Sequence, residues 1–142
     1  MGTVEKSFIM IKPDGVRKGL IGEIISRFEK RGFKMNEGKL VMPKKEIVKQ
    51  HYAEHIDKPF FDDLINFIID GPVFISVWSG KNVVSIARTM LGATNPENAA
   101  PGTIRGDYAI EVRENICHAS DTVESAEREI AIWFGYGVNS EL

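Results

Sequence analysis

Residues 8–11, Phe-Ile-Met-Ile, form an uninterrupted apolar run that stops abruptly at Lys12-Pro13-Asp14-Gly15. A short apolar run bounded by turn-forming residues suits a buried central strand ended by a turn. The chain after it alternates between helix and strand signals. Leu20, Ile21, Ile24, Ile25 and Phe28 recur at helical spacing, and Gly32 follows as a C-terminal stop. Residues 33–42 alternate loosely and suit a second strand. Pro43 opens a polar helix to about His55, bearing Ile47, Val48, His51 and Tyr52. Another helix starts at Pro59, carries Phe60, Phe61, Leu64, Ile65, Phe67 and Ile68, and halts at Gly71-Pro72. Residues 73–78, Val-Phe-Ile-Ser-Val-Trp, are β-branched and aromatic and form the clearest strand. Val83, Ala87, Met90 and Leu91 give a short helix capped by Gly92. Residues 93–115 lack sustained periodicity, and a loop that long in a compact domain is usually functional. Residues 116–119 suit a short last strand. Asp121-Thr122-Val123-Glu124 reads as a capping box that opens a final helix through Phe134.

The resulting order is β-α-β-α-α-β-α-loop-β-α. Two β-α-β units of this kind imply an α/β (α+β) fold: a ferredoxin-like four-stranded antiparallel sheet with helices on one face, plus the long loop. The 142 residues allow one domain, spanning 1–142, with no repeat and no internal linker. Such a fold hosts many functions, so function has to come from particular residues.

Charge narrows the partners. The chain has 18 basic and 20 acidic side chains and a net charge of -2, which disfavours non-specific nucleic-acid binding. A few positive groups converging on one cleft would still suit a small anion. One cysteine, Cys117, excludes an intramolecular disulfide framework. No apolar run approaches the length of a membrane span, and the N-terminus lacks the apolar stretch of a signal peptide, so a cytoplasmic location is expected.

His51 and His55 lie at i and i+4, a spacing that could hold zinc, but no Glu follows His51 and no cysteine is near, so they read as two helix-surface histidines. His118 stands between a short strand and a capping box, near a helix N-terminus where an anion is favoured. A histidine beside an anion site can accept a phosphoryl group if one ring nitrogen is neutral and the other is held. A carboxylate is the usual holder. On the wheel of the final helix, Val123, Ala126, Ile130, Trp133 and Phe134 form the apolar face, with Glu127 and Glu129 at its opposite edges. Periodicity does not choose between them. Lys12, Arg88 and Arg105 are candidate phosphate cations, arginine being the better clamp because its planar fork bonds two oxygens.

Asn115-Ile116-Cys117-His118-Ala119-Ser120-Asp121 resembles the active-site signature of nucleoside diphosphate kinases. Ile11-Lys12-Pro13-Asp14-Gly15-Val16 looks like that family's first-strand motif. Pro59-Phe60-Phe61, Ser79-Gly80, Gly92-Ala93-Thr94-Asn95-Pro96 and residues 101–107 fit its middle and its long loop. The resemblance runs through essentially the whole chain.

It implies the ferredoxin-like fold and a set of roles. His118 would be the nucleophile and Glu129 the carboxylate that orients it. Tyr52 and Lys12 would donate to the transferred group, and Arg88, Thr94 and Arg105 would hold phosphates. Lys12 and Asn115 would reach the ribose. Phe60 would stack on the base with Leu64 and Val112 packing nearby, and Ser120 would bond Glu129 from behind. The expected activity is ping-pong transfer of a γ-phosphoryl group from a nucleoside triphosphate to a nucleoside diphosphate through phosphohistidine, with low base specificity because stacking uses a face every base has. Mg²⁺ would be carried by the nucleotide phosphates. The resemblance also implies a homo-oligomer, a hexamer or else a tetramer. Ala119, Thr122, Cys117 and Arg113-Glu114 depart from the commoner pattern, and the chain stops at Leu142, short of the tail of many animal members. An RNA-binding module would need the aromatic ribonucleoprotein pattern, which is missing. A regulatory domain with a dead site would have lost His118, Lys12 or Arg105, and all three are present.

Overall fold

The computed structural model describes residues 4–135, so both chain ends named above lie outside the described residues. Strands β1 (Val4–Ile11), β2 (Lys34–Val41), β3 (Val73–Lys81) and β4 (Cys117–Ala119) form one sheet in the order β2-β3-β1-β4. Every pairing is antiparallel. The helices are α1 (Pro13–Arg17), α2 (Ile21–Arg31), α3 (Lys45–His51), α4 (Phe61–Ile68), α5 (Val83–Leu91), α6 (Ile104–Tyr108) and α7 (Val123–Phe134).

The expectation of helices on one face is corrected: they cover both. The apolar run in β1 explains why. Its alternate residues face opposite sides of the sheet. Ile9 and Ile11 pack with Ile24 and Phe28 of α2 and Val83, Ala87 and Leu91 of α5. Phe8 and Met10 pack with Val48 of α3, Ile65 and Ile68 of α4, and Ile130 and Trp133 of α7. A strand that is apolar without alternation must be buried on both faces. In β3, Ile75 and Val77 face the α3/α4/α7 layer, and Trp78 faces the α2/α5 layer. The polar exception there is satisfied: Trp78 Nε1 donates to Ser76 Oγ at 3.0 Å, and Ser76 Oγ donates to the Ile9 carbonyl at 3.1 Å.

Four local expectations also change. The turn at residues 12–15 is the start of α1, because Lys12 N-caps it in extended backbone and Pro13 takes its first position. The polar helix ends at His51 and is followed by a one-turn 3₁₀ helix, Ala53–His55. The long loop contains a second 3₁₀ turn, Pro96–Asn98, and α6. The cap of α7 is Thr122, whose hydroxyl accepts from Ser125 N–H at 3.0 Å; Asp121 pairs with Arg88 instead. The helix stop at Gly32 stands as read: its φ of 108° lies in the left-handed region that glycine adopts cheaply.

Candidate active site

The sheet register aims the central histidine. β4 is an edge strand, and His118 pairs with Met10 while Cys117 and Ala119 pair with Ile11 and Ile9. Paired residues share a face. His118 therefore points toward α3 and α7, and its two neighbours point toward the α2/α5 layer. A cavity of about 280 Å³ opens beside it, where the two helical layers meet at the sheet edge. One layer contributes His51, Tyr52 and Glu129. The other, with its connecting loop, contributes Arg88, Thr94, Arg105 and Asn115. Lys12 reaches in from the end of β1.

Glu129 faces His118, with Oε1 2.9 Å from Nε2. The same oxygen accepts from Ser120 Oγ at 2.7 Å, and Ser120 is itself pinned by the Phe8 N–H at 3.1 Å. Glu129 is buried, whereas Glu127 is exposed at the opposite edge of α7 beside Val4 and Lys6. The tie that periodicity left open is broken by which edge of the helix the sheet covers. Burial raises the Glu129 carboxyl above its ordinary range, and the field of His51 and the Ser120 hydroxyl pull it back. Burial, reinforced by Lys12, pulls His118 down to about 3, so its ring is neutral at physiological pH.

The cations are placed differently from one another. Lys12 Nζ donates to Asn115 Oδ1 at 2.8 Å, and Asn115 Nδ2 donates to the Thr94 carbonyl at 3.0 Å. Burial and the nearby Arg105 lower Lys12 from 10.5 to about 8. Arg88 donates to the Ala119 carbonyl at 3.3 Å and pairs with Asp121. Arg105, a candidate phosphate cation, lines the cavity but is buried and spends three N–H groups on carbonyls: Asn115 at 3.1 Å, Gly92 at 2.9 Å and Cys117 at 2.7 Å. One N–H on each terminal nitrogen remains. The cavity lining reaches Asp121 but not the first turn of α7. Side-chain cations, rather than helix N–H groups, therefore supply its positive potential.

Tyr52 caps α3 with its hydroxyl buried and unbonded among the described residues. Burial raises its pKa, so it stays a donor. Phe60, Leu64 and Val112 do not line the cavity. Phe60 is 48% exposed at the head of α4, with its ring 5.6 Å from that of His55, a lining residue. Arg113, next to Val112, lies 3.7 Å from Asp63 of α4, which ties the long loop to the Phe60 side of the opening.

The residue misread from sequence is His51. It is not a surface residue: it is 2% exposed, with its ring 4.5 Å from both His118 and Tyr52. Trp133 Nε1 donates to its Nδ1 at 2.9 Å. Burial and the neighbouring His118 push its pKa well below the ordinary value. Nothing in the helical period from 43 to 55 foretold that α3 would end there and turn His51 inward. His51, His118 and Glu129 present ligand atoms within 4.8 Å of one another, a grouping that could hold a metal ion. Glu129 already engages His118, and the Lys12, Arg88 and Arg105 cations line the same cavity and oppose a metal there.

A nucleoside diphosphate kinase family model matches residues 5–137. The nucleoside diphosphate kinase of Eremothecium gossypii is 57% identical over 130 residues, which cover 92% of this chain and 86% of that protein. The Bacillus cereus enzyme is 58% identical, covering 92% and 88%. Among solved structures, the nucleoside diphosphate kinase of Encephalitozoon cuniculi superposes with a TM-score of 0.91 at 46% identity, covering 95% and 92%. The Halobacterium salinarum enzyme, solved with CDP, gives 0.90 at 49% identity, covering 93% and 88%.

Proposed function

The chain belongs to the nucleoside diphosphate kinase family, and on that premise we infer how its own residues divide the reaction. The chain transfers the γ-phosphoryl group of a nucleoside triphosphate to a nucleoside diphosphate, through a phosphohistidine, by a ping-pong route. His118 is the nucleophile in this reading, and the observation that carries it is the Glu129 contact with Nε2. That contact fixes the tautomer: Nε2 carries the proton and Nδ1 keeps its lone pair. Nδ1 attacks the γ-phosphorus in line. The Nδ1–P bond forms, the bond from phosphorus to the bridging oxygen breaks, and its electron pair leaves with the diphosphate. The ring gains positive charge, which the Glu129 carboxylate stabilises.

Negative charge spreads over the phosphoryl oxygens in the transition state. Lys12, Arg88, the Tyr52 hydroxyl and the two remaining Arg105 N–H groups meet it. Lys12, Arg88 and Arg105 are already held by protein contacts, so these cations need little reorganisation. Thr94 holds the phosphates further out, Lys12 and Asn115 reach the ribose, and Ser120 keeps Glu129 in place. Phe60 stacks on the base at the open end of the cavity, with Leu64 and Val112 beside it, so any base fits. Mg²⁺ would be carried by the nucleotide phosphates and would offset their charge, because two of the three carboxylates lining the cavity are engaged: Asp121 is paired with Arg88 and Glu129 with His118, leaving Glu54. We further propose that residues 1–142 act as one domain, in a cytoplasmic homo-hexamer with a tetramer as the alternative; no described helix is long and apolar enough to cross a membrane.

Incubation with γ-labelled ATP, followed by removal of nucleotide, should leave acid-labile, base-stable label on the protein. His118→Ala should remove both label and exchange. Label retained in that variant would move the nucleophile to His51 or His55 and overturn the assignment. Light scattering with mass determination tests the hexamer.

A further inference from the structure

Ile116 has a φ of 78°, in the left-handed region that β-branched residues avoid. Cys117 N–H donates to the Asn115 carbonyl, two residues back, at 2.9 Å. Together these define a γ-turn of the rare positive-φ kind, a strained form. Asn115 opens this turn, and His118 comes two residues after its centre. Four hydrogen bonds from three groups clamp it. The Asp14 carboxylate accepts the Ile116 N–H at 2.9 Å, and the Lys12 backbone N–H donates to the Ile116 carbonyl at 2.8 Å. Arg105 holds the carbonyls on either side, Asn115 and Cys117.

Besides the favourable field its charge exerts on Lys12, the Asp14 side chain has one hydrogen-bonding task. It is 2% exposed, the bond to Ile116 is the one its side chain makes among the described residues, and its Oδ1 is buried without a partner. A buried carboxylate this poorly satisfied is costly to keep. The next residue serves the same approach. A Cβ on Gly15 would sit 2.9 Å from the Ile116 carbonyl oxygen, too close for any other residue without movement. β4 is only three residues long and pairs with β1 alone, so its own ladder does little to fix its start.

We propose that Asp14 is a positioning residue for phosphotransfer: its carboxylate holds the Ile116 γ-turn, and the turn sets where Asn115 and His118 stand. The proposal rests on His118 being the nucleophile. Without the clamp, Ile116 relaxes toward negative φ, and both flanking peptide planes rotate. In-line attack tolerates little displacement; a misplacement of ~1 Å costs up to about a hundredfold in rate.

The test compares single-turnover formation of phosphohistidine at saturating nucleotide with nucleotide affinity. Asp14→Asn keeps an acceptor oxygen and should stay within about threefold of the parent. Asp14→Ala should lose roughly ten- to a hundredfold in rate, and clearly less in affinity. On an Ile116→Gly background, where positive φ is cheap, the same removal of Asp14 should cost only a few-fold. Asp14→Ser, whose hydroxyl falls short of the Ile116 N–H, reads the same cycle should Asp14→Ala fail to fold. Equal losses on both backgrounds, a parental rate in Asp14→Ala, or an Asp14→Asn as slow as Asp14→Ala would each overturn the proposal. Absence of label on the unmutated protein would instead overturn the assignment of His118.

Discussion

Glu129 and Glu127 differ by two positions and by everything that matters chemically. One is buried 2.9 Å from His118 Nε2, and the other is exposed on a different surface. Glu129→Gln should retain the fold and slow phosphohistidine formation by tens to hundreds of fold, about 2–4 kcal/mol. Glu127→Gln should change it little. Single-turnover rates of the two variants decide this, and a slow Glu127→Gln would reverse the assignment. Lys12 sets a second test. Its pKa is lowered to about 8, chiefly by burial, so it is charged below that pH and neutral above it. The phosphorylation rate should therefore fall as pH rises through about 8, and Lys12→Arg should move that alkaline limb upward. At this scale periodicity was informative about residue type and silent about direction; the family resemblance alone pointed to Glu129. The signature singled out His118, yet which carboxylate turned toward it depended on which edge of α7 the sheet covers. His51 was misread because its burial comes from Trp133 and Phe8, distant in sequence.

Elements were legible where one periodicity ran unbroken. β1, β3, α2, α5 and α7 were all visible as runs of apolar residues, because burial repeats along them. The short pieces were not: α1, α6 and the two 3₁₀ turns are too brief to show a period, and they are held by tertiary contacts such as Arg27 with Asp107 and Gly102. The second helical layer was missed although the strand that demands it was seen, since the continuous run in β1 already required cover on both faces. The start of α7 shows how a motif can be right in kind and shifted by one residue. Asp121 and Thr122 are both good N-caps; Arg88 recruits the first, which leaves the second to cap. Thr122→Ala should therefore cost about 1 kcal/mol of stability in urea denaturation, with the phosphorylation rate nearly unchanged. Asp121→Asn should do the reverse, altering nucleotide affinity by freeing Arg88 while sparing stability. Equal destabilisation by both would mean that they share the cap.

Across the whole molecule, the site lies where two layers and a sheet edge converge, so loading it with charge strains the fold itself. Both His51 and His118 are neutral in the native state, with pKa values below the ordinary 6.5 because burial penalises the cation. The unfolded chain takes up protons at these residues as pH drops through 6.5, and the native chain does not. Their contribution to stability is thus fully present above pH 6.5 and is lost progressively below it. Urea midpoints should fall between pH 7 and pH 5, and less steeply in His118→Gln; a slope unchanged by that substitution would show that His118 is already charged in the folded protein. The cavity has a larger consequence. Lys12, Arg105 and Asn115 are buried in its lining and Arg88 and Thr94 stand at its exposed side, while the Phe60 ring lies outside it, half in solvent beside His55. If His118 carries the group and Phe60 meets the base, such a pocket counts phosphates and ignores letters: every triphosphate that enters draws on, and every diphosphate refills from, one and the same histidine. On that reading adenine, guanine, cytosine and uracil pools sharing this protein would settle, given time, to a single ratio of triphosphate to diphosphate, as vessels joined at the base settle to one level.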